Sequence, residues 1–140
     1  MTLAAWPASL PRPERDTFSM VPAEARLKRR AETGAPSYRL RFSGVPKYVS
    51  MSVLLTRSQR ATFDEFFEVT TRWGSLPFTM ADPTTEGWPM TDGNGNPVVD
   101  ALGRPILMSG TWLCLFGDTP PSETVTGIRF RKSFRITVMP

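Results

Sequence analysis

Bulky apolar side chains return at helical spacing in the middle of the chain. Phe63, Phe66, Phe67 and Thr70 fall on one face, while Asp64, Glu65, Glu68 and Arg72 lie on or beside the other. Thr56 stands before this run and Gln59 follows three residues later, the pattern of a capping box. Gly74 stands just past the last periodic residue, where a left-handed terminator is expected. The spacing predicts one amphipathic helix over residues 56–73 whose core face is Phe63, Phe66 and Phe67.

The rest of the chain alternates with the period of a strand. Tyr38, Leu40 and Phe42 share one face of a segment whose other face carries Arg39 and Arg41. After the turn signal Gly44-Val45-Pro46 comes an apolar, β-branched run over residues 48–55, so residues 37–55 read as a hairpin. A short strand is expected at 76–80 and another at 111–116. A polar loop follows over 118–127. The last run, 128–138, places Ile128, Phe130, Phe134, Ile136 and Val138 on one face and Arg129, Arg131 and Arg135 on the other. Lys132 interrupts the apolar face, which predicts a strand end or an open place in the core.

Two segments do not fit this body. Residues 1–36 hold five prolines (Pro7, Pro11, Pro13, Pro22 and Pro36), which fix φ and remove backbone donors. They read as an extended arm, with a short helix expected over 23–32 and ended by Gly34. Residues 84–110 are an insertion with turn signals at 92–97 and 100–105, expected as a surface hairpin. Calcium binding is excluded there, because Pro97 stands where the loop requires glycine and Gly103 where it requires a bidentate Glu. The organisation is thus an arm, 1–36, and one domain, 37–140. Apolar residues on segments too irregular to build a core are expected to meet a neighbouring subunit. In the arm these are Trp6 above all, with Leu10 and Phe18. In the insertion they are Val98, Val99, Ile106 and Leu107.

Composition removes most chemistry. The chain has 140 residues, no histidine and one cysteine. The commonest general base and metal ligand is therefore missing, no internal disulfide or thiolate cluster can form, and Cys114, inside Thr-Trp-Leu-Cys-Leu-Phe, reads as a small buried hydrophobe. No phosphate-binding glycine loop, nucleophile elbow or Ser-x-x-Lys motif is present. The acids Asp64, Glu65 and Glu68 read as a solvated helix face. No enzyme and no cofactor are expected. No secretory signal is read at the proline-broken start, and no run approaches the ~20 apolar residues of a spanning helix, so no membrane partner is expected. The net charge is a mild +4. Arginines at 39, 41, 129, 131 and 135 suggest a basic face that would hold nucleic acid weakly and without sequence choice.

The order of motifs resembles small tail proteins of long-tailed phages, the distal tail and minor tail proteins. The likeness rests on Arg39-Leu40-Arg41-Phe42, on Leu55-Thr56 with Gln59, on Phe63 with Phe66-Phe67, on the run from Trp73-Gly74 to Asp82-Pro83, and on the closing strand through Ser133-Phe134-Arg135-Ile136-Thr137-Val138. It covers most of 37–83 and 126–138 and omits the insertion. It implies a partly open β-barrel or sandwich with one helix. It also implies a ring subunit, commonly sixfold, between the tail tube and the tip or baseplate. Partners would then be copies of itself and tube, hub and tip proteins, and the location the virion tail, assembled in the host cytoplasm. Tail terminators and head–tail connectors have related barrels. A different class, a nucleic-acid-binding β-barrel, would use Arg39, Arg41, Arg129 and Arg131 with Tyr38 or Tyr48 for stacking. It is disfavoured here because Tyr38, Phe42, Phe130 and Phe134 alternate away from the arginines and so are expected in the core.

Overall fold

A computed structural model describes residues 3–140. The first two residues of the expected arm lie outside it. The chain runs β1 (Ala4–Ala5), β2 (Ser19–Pro22), β3 (Arg26–Arg29), β4 (Ser37–Leu40), β5 (Lys47–Leu55), helix α1 (Arg57–Glu65), β6 (Phe78–Ala81), β7 (Thr111–Phe116), β8 (Ser122–Thr126) and β9 (Arg129–Val138). The fold is mainly β with a single helix segment, as the patterning predicts. One sheet has the order β1-β6-β7-β9-β5-β2, with β8 also on β9. Its pairings are antiparallel except β1 with β6. The sheet does not close into a barrel, and the helix covers one face in a sandwich-like arrangement.

The helix begins as its sequence dictates. The Thr56 hydroxyl accepts from the Gln59 amide, and the Gln59 side chain accepts from the Thr56 amide at 3.0 Å. The ending differs from the expectation of one regular helix to residue 73. From Phe66 to Thr70 the backbone is π-helical, and the Thr71 amide donates to the Phe66 carbonyl five residues back at 3.0 Å. The wider turn shifts the buried position from Thr70 to Thr71, which is fully buried. Arg72, Trp73 and Gly74 then all adopt positive φ, at 49°, 59° and 83°.

Alternation on β5 and β9 builds the core. Val49, Met51, Val53 and Leu55 point to the helix side, facing Phe134, Ile136 and Val138 across the register. Phe63 and Phe66 close over them, with Phe67 partly covered. Cys114 is fully buried there, and burial pushes its thiol up to about 12. Lys132 is not at a strand end but does line an open cleft, as one of the two expectations had it. Its ammonium lies 5.6 Å from the Phe63 ring centroid and meets Asp64 at 2.9 Å and Glu123 at 3.4 Å. Glu123 belongs to β8, a strand inside the stretch expected to be a loop.

The arm divides into two unlike parts, which corrects its expected role. Residues 4–22 form a strap across the whole sheet, since β1 lies at one edge and β2 at the other. Trp6 packs within its own chain. Its half-buried ring lies 5.5–6.0 Å from those of Phe63, Phe66, Phe78 and Phe134, against the chain's own aromatic core. Leu10 is buried and Phe18 packs against the same cluster. Beyond them Glu14 reaches the opposite face of the sheet, where it accepts from Arg131 at 2.7 Å and 3.2 Å and from Ser52 at 3.2 Å. The expected helix at 23–32 is absent. Arg26–Arg29 is a strand that pairs with β4, so β4 does not pair with β5 as the hairpin over 37–55 required.

Candidate functional site

Three surfaces remain once the core is accounted for. The first is the two-stranded ribbon β3–β4. Every residue from 26 to 44 is exposed. At its base the Ala23 amide donates to the Pro46 carbonyl and the Arg41 amide to the Ala25 carbonyl. The register places Arg26, Lys28, Tyr38 and Leu40 on one side and Leu27, Arg29, Ser37 and Arg39 on the other. Residues 24–42 hold six basic and two acidic side chains, an excess equal to the chain's whole formal charge of +4. Glu24 accepts from the guanidinium and amide of Arg26, which push its carboxyl down to about 2. Arg29, Arg39 and Arg41 form no ion pair among the described residues.

The aromatics of this ribbon are not core. Tyr38 is 51% exposed, beneath the Arg26 guanidinium, and Phe42 is 37% exposed. The expectation that Tyr38 and Phe42 turn inward is therefore wrong, while Phe134 is buried as expected and Phe130 is half-buried. Alternation was real, but a ribbon with no layer beneath it has two wet faces. Nor do the five arginines form one basic face. Arg39 and Arg41 sit on the ribbon, Arg129 on the β8–β9 turn and Arg135 on the sheet, and Arg131 is engaged by Glu14 and Thr126.

The second surface is a cleft of about 510 Å³ between the helix end and loop 117–121. Its walls include Phe67, Trp73, Phe116, Pro120 and Pro121, and its acids are Asp64, Glu68 and Asp118. Asp64 holds Lys132, whereas Glu68 and Asp118 are exposed and form no ion pair among the described residues. Trp73 is 68% exposed. It is held out by the consecutive left-handed residues, an arrangement that is strained for Arg72 and Trp73 and fits only glycine at 74. A side chain at Gly74 would also meet Phe116 and Phe67 at 3.1 Å.

The third surface is the insertion, which is more than a hairpin. Gly87, Gly95 and Gly103 recur every eight residues, each followed two places on by proline and then by an apolar residue, and all three have φ near +80°. The backbone turns this repeat into a closed pseudo-threefold knob. Val98 donates to Met90 at 2.9 Å, Ile106 to Val98 at 3.0 Å, and Met90 to Ile106 at 2.8 Å. Three bridges close the same circle: Thr91 with Pro97, Val99 with Pro105, and Leu107 with Pro89. Two corners are capped by aspartate, Asp92 accepting from the amides of Asn94 and Asn96 and Asp100 from those of Leu102 and Arg104. At the third corner, where the chain enters and leaves, the Glu86 carboxylate accepts from Gly110 at 2.7 Å. Val98 is half-buried, while Val99, Ile106 and Leu107 are exposed. The strap grips the base of the knob: Arg12 donates to the Glu86 carbonyl at 2.9 Å, and Arg15 stacks 4.4 Å over Trp88.

Among the described residues no group of three or more His, Cys, Asp or Glu side chains is placed to hold a metal ion. Among the same residues no helix is long and apolar enough to cross a membrane. The chain matches no protein-family model and no curated protein.

Proposed function

We propose that this protein is a non-enzymatic structural subunit of a phage tail, assembling into a ring that joins the tail tube to the tip or baseplate. The observation that carries the assembly role is the ribbon β3–β4. It presents two free strand edges and the exposed apolar side chains Leu27, Tyr38, Leu40 and Phe42. An isolated two-stranded ribbon is marginal by itself, and exposed strand edges invite pairing with another chain. Such an element is suited to being covered by a partner. The tail assignment comes from the motif resemblance; the fold, a mainly β sheet backed by one helix, is compatible with it.

Native mass spectrometry of the purified protein tests the proposal. A closed oligomer of defined stoichiometry, sixfold in the simplest case, is the expected result. A protein that stays monomeric at high micromolar concentration would remove the ring.

A further inference from the structure

The ribbon and the Trp73 cleft complement one another, and both belong to the same chain. One side of the ribbon offers Leu27 between Arg29 and Arg39, with Arg41 continuing the row. The cleft offers Glu68 and Asp118 beside the projecting indole of Trp73. Among the described residues the arginines have no carboxylate partner and the two acids no cationic one. A guanidinium over an indole face is favourable, most of all when desolvated, and arginine pairs with carboxylate in a directional fork.

We infer that the ribbon of one copy docks in the Trp73 cleft of the next copy. This rests on the assembly role proposed above and names its contact. The ribbon leaves the body where Lys47 pairs with Val138, whereas the cleft lies beside Lys132. Six residues of strand separate these points, roughly 20 Å at ~3.3 Å per residue. The two surfaces are different and lie apart, so the contact is heterologous. Heterologous contacts repeat head to tail and close into a ring when the rotation permits. A nucleic acid is the weaker occupant of this side, because Leu27 gains nothing from phosphate, while the cleft supplies both carboxylates and an apolar wall.

Charge reversal on each side provides the test. One variant carries R39E and R41E, the other E68K and D118K. All four positions are exposed, and unchanged circular dichroism and melting establish that both variants fold. Sedimentation velocity should show a wild-type oligomer and two monomeric variants, with the assembly midpoint at least tenfold higher in concentration. An equimolar mixture should recover the oligomer, since each reversed ribbon then meets a reversed cleft and each native ribbon a native cleft. If the wild type assembles and the variants assemble equally well, or the mixture fails to recover, the docking is wrong while the ring survives. If the wild type is monomeric, both fail. Retention of duplex DNA by that monomer, abolished by R39E and R41E, would give the ribbon to nucleic acid instead.

Discussion

Trp6 and Tyr38 are both aromatic residues in the first forty positions, and they meet opposite fates. Trp6 is surrounded by four phenylalanines of its own chain. Tyr38 stands 51% exposed with only the Arg26 guanidinium above it. The strap and the ribbon differ in what the chain provides for them. The strap has sheet edges to extend, at β6 and β5, and a gap among phenylalanines that fits an indole. The ribbon pairs only with itself. Proline density, which makes the whole segment look like one arm, reports the absence of regular helix and not the absence of a home. The same composition thus yields a structural belt in one half and an uncommitted surface in the other.

The sharpest way to break this contrast is Trp6→Ala. Removing a ring from the centre of the core should destabilise the protein by about 3–5 kcal/mol, seen as a lower urea midpoint. A loss below about 1 kcal/mol would make the strap as dispensable as the ribbon. Thr56→Ala removes one leg of the capping box and should cost about 1 kcal/mol, read from the same transition. Acid probes the outer end of the strap. Hydrogen bonds from Arg131 hold the Glu14 carboxyl below its ordinary value of 4.5. Its folded pKa is depressed, so its contribution is present above pH 4.5 and is lost as pH falls through the lower folded value. Amide exchange around residues 14–18 should therefore quicken in that acid window before the core amides respond. The smallest effect on stability belongs to the ribbon. Replacing residues 25–44 with an Asn-Gly turn should leave the melting temperature nearly unchanged while abolishing the oligomer. A large drop in melting temperature would show that the ribbon supports its own body.

What the sequence disclosed was what is decided locally. The capping box, the left-handed Gly74 and the alternation of Phe130, Phe134, Ile136 and Val138 depend on neighbours within a few residues and stand as read, whereas Ile128, expected on the same face, falls in a turn and is 92% exposed. Pairing partners are decided at a distance. Alternation in 37–42 marks a strand but says nothing of whether β3 or β5 lies beside it, or whether anything covers its faces. Arg26-Leu27-Lys28-Arg29 has helix-compatible residues and no apolar period, and cross-strand pairing with Ser37–Leu40 overrides the weak propensity. Trp6 is uninformative until the phenylalanines around it are assembled. Lys132 reads as a strand end or an open place in the core; it lines a cleft, but its counter-ions, which come from two other elements, cannot be read locally. The eight-residue recurrence of Gly87, Gly95 and Gly103, each with its proline, was the one signal in plain view that would have announced the knob.

That knob has an evolutionary corollary. Its ladder is closed on itself, and the Asp82 amide bonded to the Gly110 carbonyl at 2.9 Å brings entry and exit together. Arg12 and Arg15 of the strap and this narrow neck tie it to the sheet. A cassette built this way asks its host to supply no more than two adjacent backbone ends. Substitutions on its rim, at Val99, Leu102 and Leu107, are free to diversify without reaching the host's folding.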